Sequence, residues 1–319
     1  MIRTEEMHRD ALAVPAREGV SAFVVTYRRP VSLRATLAAL ASQTRRPNSI
    51  IVMNNDPKGD VREGLRAEFP GTAVVDLAEN VGSAGGFACA LHIAWRQGVT
   101  WTWLLDDDAT PYPDALEQLV RVATALRAAG RPVGLLAPTQ ISSTGRFGWA
   151  NWRDRVTAVG PRRGDNQPFP IDLAYWAGLL VHRSVIEQVG YPRSEFFRTY
   201  ADYEYCLRAR RAGIEIVAVP ASQIAHHEGL SRTVVRLGRR SVRHRYAPSR
   251  FYYDARNAAF TAWHTLRSPL AVLFQVIRQC RLAVGDLIYE DQKWRRMALR
   301  LQGTMDGLRG RMGRRETIE

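Results

Sequence analysis

With only three cysteines, Cys89, Cys206 and Cys280, none close to another, the chain lacks the spacing of a zinc module or a disulfide framework. It has no run of about 18 uncharged apolar residues, so no membrane-spanning helix is expected. The nearest stretch, Pro269 to Ile277, soon meets Arg278 and Arg281. Met1 to Glu18 is polar and has no apolar core of signal-peptide length. These absences favour a reducing cytoplasm as the compartment. Two nucleotide-binding patterns are also missing: no G-x-G-x-x-G follows the first strand, and no Gly-Lys-Ser/Thr occurs.

Acid is scarce in one region. Residues 229–319 hold 19 Lys or Arg against 7 Asp or Glu, a net of +12 of the chain's +14. Ser231 to Arg250 contains seven Arg and no acid. The first 228 residues are therefore close to neutral. A basic balance of this size implies a polyanionic partner: a phosphate-bearing substrate, nucleic acid or an anionic membrane. At 319 residues with 46% hydrophobic content the chain can bury a substantial core, in one large domain or two.

What is present is an alternation of strands and helices. Ser21 to Thr26, Ser49 to Asn54, Thr72 to Leu77, Trp101 to Leu105 and Val133 to Ala137 read as buried strands, with helical patterns between them. The expected fold is α/β, a mostly parallel sheet flanked by helices. Ligands of such sheets bind at the carboxyl ends of strands. There the sequence places Thr26-Tyr-Arg28, Asn54-Asn55-Asp56, the glycine-rich Gly82-Ser-Ala-Gly85-Gly86 and Asp106-Asp107-Asp108.

The triple acid is the sharpest signal. Two Trp and two Leu lead into three carboxylates that repel one another, an arrangement folding does not require. Asp106 and Asp108, two apart, point to one side of an extended chain and suit a magnesium or manganese ion. The plainer reading is a solvated acidic turn before a helix. The glycine segment at a helix start could cradle a phosphate or serve as a simple cap. Asp202 and Glu204 open a further helix, expected from Phe196, as base or as cap. His226-His227 is by itself more often ordinary than a ligand. Gln140 to Gln167 reads as an irregular hairpin or flexible loop, and Asp172 to Val181 as a strand.

Together these motifs, with Trp176-Ala-Gly178, Asp202-Tyr-Glu204-Tyr-Cys-Leu-Arg208 and His226, resemble the family 2 glycosyltransferases of the GT-A fold. The likeness covers about residues 20 to 230. It is greatest to bacterial galactofuranosyl- and rhamnosyltransferases of cell-envelope glycan assembly. It implies three regions: a flexible N-terminus (1–19), a glycosyltransferase domain (20–230) and a basic, mainly helical C-terminal region (231–319). It implies an inverting, metal-dependent transfer from a UDP- or dTDP-sugar, galactofuranose favoured over rhamnose, to a polyprenyl-diphosphate-linked glycan. Thr26, Arg28, Asn54, Asn55, Asp56, Gly82, Gly85, Gly86 and Asp107 would bind the nucleotide sugar. Asp106, Asp108 and His226 would hold Mn2+ or Mg2+, and Trp176 would wall a sugar. Asp202 would be the base, with Glu204 the alternative or its orienting neighbour. The basic region would attach the protein peripherally to the anionic inner membrane surface, or serve oligomer contacts. A nucleic-acid-binding role for that region is the competing class, disfavoured by the near-neutral remainder.

Overall fold

The computed structural model describes residues 17–142, 145–147, 149–151, 156–159, 166–226, 231–236, 239–244, 246–290 and 292–315. The chain divides into two compact units. One comprises Met1–Arg193 with Tyr205–His227, the other Ser194–Glu204 with Glu228–Glu319.

The first unit is built on a mixed sheet. Strands β1 (Arg17–Thr26), β2 (Ser49–Asn54), β3 (Thr72–Asp76) and β4 (Val99–Asp106) run parallel in the order β3-β2-β1-β4. Their connections are helices α1 (Pro30–Ala41), α2 (Val61–Arg66) and α3 (Gly82–Arg96). Ala22, Phe23, Val24, Trp103, Leu104 and Leu105 are fully buried, so both sheet faces are covered, and this is why β1 and β4 read as unbroken apolar runs. Proline opens α1, where its fixed φ and missing N–H cost nothing, and Leu33, Leu37 and Leu40 turn inward. Asp60 caps α2 by accepting the Glu63 N–H.

The other half departs from the parallel pattern. It adds β5 (Ala109–Pro111), α4 (Ala115–Ala128), β6 (Val133–Ser142), β7 (Gly145–Phe147), β8 (Trp149–Asn151), β9 (Val156–Val159), β10 (Phe169–Pro170), β11 (Leu179–His182) and α5 (Arg183–Val189). After α6 (Ala201–Arg211), which continues from one unit into the other, comes β12 (Glu215–His226). Strand β11 lies antiparallel between β4 and β6, and β5 and β10 are antiparallel to β12. The expected strand from Asp172 begins only at Leu179. Gly178 has φ +86°, and its N–H bonds Leu104 O at 2.8 Å, so the chain turns there. A Cβ on Gly178 would lie 2.0 Å from Ile224, so only glycine fits. The segment expected to be an irregular hairpin lies partly outside the described residues. The described parts include the β8–β9 hairpin. The first 16 residues, expected to be flexible, and His227 also lie outside them.

The second unit holds an antiparallel hairpin, β13 (Ser231–Arg236) with β14 (Arg239–His244). Helices α7 (Ser249–Phe260), α8 (Pro269–Tyr289) and α9 (Lys293–Leu308) follow, with a π-helical turn at Thr261–Thr265. The hairpin occupies the start of the region expected to be mainly helical, where β-branched Thr233, Val234, Val235 and Val242 favour strands even among arginines. A correction concerns the approach to α6, which begins at Ala201 and not near Phe196. Phe197, Thr199 and Tyr200 have φ of 65°, 55° and 64°, which an α-helix excludes.

Candidate active site

Parallel pairing brings the ends of β1, β2 and β4 level: Thr26 pairs with Asn54, and Val25 with Asp106. The three successive acids then part company. Asp107 turns inward, 4% exposed, and accepts the Thr26 hydroxyl at 2.8 Å and the Tyr27 N–H and Arg29 guanidinium at 3.3 Å each. Burial raises its pKa against the lowering effects of Thr26 and Arg29. Its carbonyl receives the Thr36 hydroxyl at 3.0 Å. Asp107 therefore braces the strand ends.

Asp108 faces the other way. Its Oδ1 lies 3.4 Å from His226 Nε2, and its Oδ2 takes Arg29. The contact follows from strand register, since β12 runs antiparallel to β5 with His226 opposite Ala109. Burial opposes the Asp108 charge, yet His226 and Arg29 outweigh it and hold the carboxyl below its ordinary range. Burial likewise lowers the His226 pKa, but Asp108 and the nearby Asp106 charge prevail and raise it. A carboxylate and an imidazole thus meet at one strand end, with the Asp106 charge near enough to act on His226, and these three residue types suit a small divalent cation. Among the described residues no three such side chains are close enough to enclose an ion as they stand. Arg29 occupies one Asp108 oxygen and would have to yield it. Arg29 is the residue the sequence reading missed; the doubled Arg28-Arg29 beside the acid-rich strand end was the available signal.

A cleft of about 360 Å3 adjoins this point, lined by Thr26, Arg28, Arg29, Arg34, Asp56 and Asp60 among others. Arg28, at φ 58°, pairs with Asp56 at 3.0 Å and lowers that carboxyl's pKa. Asn54 spends its amide on Asp56 O, Gly59 O and Asp76, at 2.9–3.2 Å. Asn55 spans two loops, donating to Gly82 O and accepting the Val81 N–H. Both asparagines are buried and shape the loop that presents Asp56. Gly82, Gly85 and Gly86 are buried at the start of α3. A Cβ on Gly85 would meet Val81 at 2.6 Å, and one on Gly86 would meet Val25 at 2.6 Å. Close helix-to-strand packing therefore already requires small residues there.

Trp176 is 6% exposed, stacked on Phe87 at 5.1 Å and tilted on Tyr205 at 5.7 Å. Its faces are covered by protein, which leaves little ring for a sugar.

Asp202 and Glu204 belong to the second unit. Asp202 is half-buried and receives the Tyr203 N–H at 2.9 Å. Burial pushes its pKa up to about 6, against the lowering effect of Arg250. Glu204 is fully buried and accepts the Thr265 hydroxyl at 3.2 Å.

Residues 15–281 match the family model "Glycosyltransferase like family 2". The chain is 32% identical over 209 residues to galactofuranosyltransferase GlfT1 of Mycobacterium tuberculosis, covering 62% of this chain and 66% of that one, just under two thirds of its length. It is 30% identical over 151 residues to dTDP-rhamnosyl transferase RfbF of Shigella flexneri, covering 46% and 48%. An N-acetylglucosaminyl-diphospho-decaprenol L-rhamnosyltransferase of M. tuberculosis is 24% identical over 234 residues, covering 65% and 75%. Among solved structures, GalNAc-T7 with UDP, GalNAc and Mn2+ superposes with a TM-score of 0.54 at 13% identity, over 66% of this chain and 43% of that one. That likeness concerns the fold alone, which is the GT-A glycosyltransferase fold. On the extent of the family match, the chain belongs to the family 2 glycosyltransferases.

Proposed function

We propose that this protein transfers a galactofuranosyl residue from a UDP-sugar to a polyprenyl-diphosphate-linked cell-envelope glycan, with inversion at the anomeric carbon. The observation that carries this reading is the meeting of Asp108, His226 and the Asp106 charge at the end of β4, beside the cleft holding Arg28 and Asp56. The galactofuranosyltransferase likeness supports the donor sugar. Arg28 and Asp56 contact the nucleoside diphosphate, and Asn54, Asn55 and Asp107 hold the loops that present them. Asp106, Asp108 and His226 hold manganese or magnesium, whose charge opposes that of the departing diphosphate. Asp202 takes the proton of the attacking acceptor hydroxyl.

The rhamnosyl relatives favour one alternative, a dTDP-rhamnose donor. Calorimetric titration of UDP and of dTDP, each with and without manganese, separates the two. Manganese-dependent binding of UDP, at least about tenfold tighter than that of dTDP, is expected, a difference of about 1.4 kcal/mol. The reverse preference moves the assignment to rhamnose, and no binding of either overturns the enzyme.

The second unit supports attachment to an anionic bilayer. On α8, Leu270, Leu273, Phe274 and Ile277 are exposed at helical spacing, and Trp294 and Leu301 are exposed on α9. Between the two helices lies an apolar cleft of about 470 Å3. Among the described residues from 246 onward every exposed charged side chain is basic, including Arg267, Arg281, Arg295 and Arg309. Asp286, Glu290 and Asp306 are buried against Arg300, Arg296 and Arg315. A second copy of this face would meet it with like charge, whereas acidic lipid satisfies both its charge and its apolar stripe. No helix among the described residues is long and apolar enough to cross a membrane. Flotation with phosphatidylglycerol vesicles is expected to recover the protein, and Leu273→Glu with Leu301→Glu to lower the partition constant about tenfold or more. Equal recovery of both forms removes this face from the membrane reading.

A further inference from the structure

The segment leading into Asp202 is unusual. Phe197, Thr199 and Tyr200 all take left-handed backbone angles that side chains seldom adopt. None is glycine, so the surroundings must impose the conformation. Two neighbouring side chains of α7 do so. Arg256 and Asn257 are both fully buried. The Arg256 guanidinium donates to Glu195 O at 3.0 Å, to Phe196 O at 2.9 Å and to Gly313 O, and its Nε bonds Asn257 Oδ1 at 2.9 Å. The Asn257 amide donates to Phe196 O, Arg198 O and Thr199 O at 3.0, 2.7 and 2.9 Å. Four carbonyls of an irregular loop, those of Glu195, Phe196, Arg198 and Thr199, are thereby fastened to one point. The guanidinium has no carboxylate partner among the described residues, and its charge rests on carbonyls and on the Tyr252 and Tyr253 rings, 5.6 and 4.9 Å away.

A buried cation without an anion is an expensive way to fasten a loop, since apolar packing would do it more cheaply. Its use is explained by what the loop delivers. Tyr200 O accepts the Glu204 N–H at 2.9 Å, so the strained residue is also the first acceptor of α6 and fixes the direction in which Asp202 leaves the helix. We infer that Arg256 and Asn257 are positioning residues for Asp202, holding the preceding loop so that the carboxylate is set at the start of α6. The inference rests on the reading of Asp202 as the base. Within its unit the Asp202 carboxyl faces Arg250 of α7 and Tyr200 of the loop, and it takes the Tyr203 N–H. Loosening the loop lets water in and relieves the burial that raises its pKa.

The test is steady-state kinetics of the full chain with UDP-galactofuranose and a synthetic polyprenyl-diphosphate disaccharide, from pH 5 to 8. Asn257→Ala is expected to lower kcat about 100-fold, the scale of a misplacement near 1 Å. The donor KM should stay within about threefold, because the loop is not assigned to donor binding. The acid limb of the kcat profile should move below 6. Should Asn257→Ala fail to fold, Asn257→Ser decides, since its hydroxyl keeps one donor in place while the other bonds to the Phe196, Arg198 and Thr199 carbonyls are lost. It should fold and still lower kcat and the acid limb. Unchanged kcat, or a lowered kcat with an unmoved or raised limb, overturns the inference. Asp202→Asn tells the two failures apart. An active Asp202→Asn defeats the base itself, whereas an inactive one beside a normal Asn257→Ala defeats only the positioning role.

Discussion

Asp202→Asn abolishes sugar transfer and leaves nucleotide affinity unchanged: that is the expected outcome for the proposed base. The substitution keeps the shape of the side chain and removes its capacity to accept a proton. Positioned general bases contribute about 10^2 to 10^4 in rate, so kcat should fall within that range. The nucleotide contacts are assigned to Arg28 and Asp56, in the other unit, so UDP affinity measured by calorimetry should be the same for both forms. Near-normal turnover would refute the assignment. Glu204 is the weaker candidate because it is fully buried and already accepts the Thr265 hydroxyl.

The pH dependence follows from the same carboxyl. Its pKa, pushed up to about 6 by burial, leaves the base ionised at pH 7 and protonated below 6. The rate should therefore fall about tenfold per pH unit below that point. Stability runs the other way. A carboxyl whose folded pKa is raised binds its proton more tightly in the folded state, so its contribution is full below about 4 and is lost as pH rises through about 6. Between those values the protein should lose activity while gaining stability from this group. Acid inactivation with a constant or rising melting temperature near pH 5 would show it.

The strand ends were legible because burial writes itself into composition. Strands β1, β2 and β4 are covered on both faces and so are continuously apolar, and any polar residue at their ends stands out. The roles of adjacent residues were not legible. Asp106, Asp107 and Asp108 look alike in sequence, but the turn after β4 points Asp107 at Thr26 and Asp108 at His226, more than a hundred residues away in the chain. Asn54 and Asn55, expected as ligand contacts, also bond protein groups, Asn54 within its own loop and Asn55 on the loop that opens α3. Gly178 signalled a turn that the apolar run around it concealed. The left-handed residues before Asp202 could not have been read at all, because Phe, Thr and Tyr carry no preference for that conformation. Arg256 and Asn257, which enforce it, lie some 60 positions on.

That divergence between neighbouring acids gives the second large prediction. Asp108→Ala removes one of the proposed cation donors along with the partner of His226 and of Arg29. The three groups sit at the rim, with Arg29 more than half exposed, so water can replace the lost contacts and the fold should tolerate the change. Manganese should then no longer strengthen UDP binding, and transfer should fall by about 10^3 or more, the scale set by losing charge stabilisation at a leaving group. Asp107→Ala should do the opposite. It strands the Thr26 hydroxyl, the Tyr27 N–H and one Arg29 contact around a buried hole. Each unsatisfied buried donor costs about 1–3 kcal/mol, so thermal unfolding should begin several degrees lower, by about 2–4 °C per kcal/mol lost. The residual folded protein should keep a manganese response. Parallel melting curves and UDP titrations of the two variants decide the matter. If Asp108→Ala retains the manganese effect while Asp107→Ala loses it, the cation belongs to the buried acid and the site must be redrawn around Thr26.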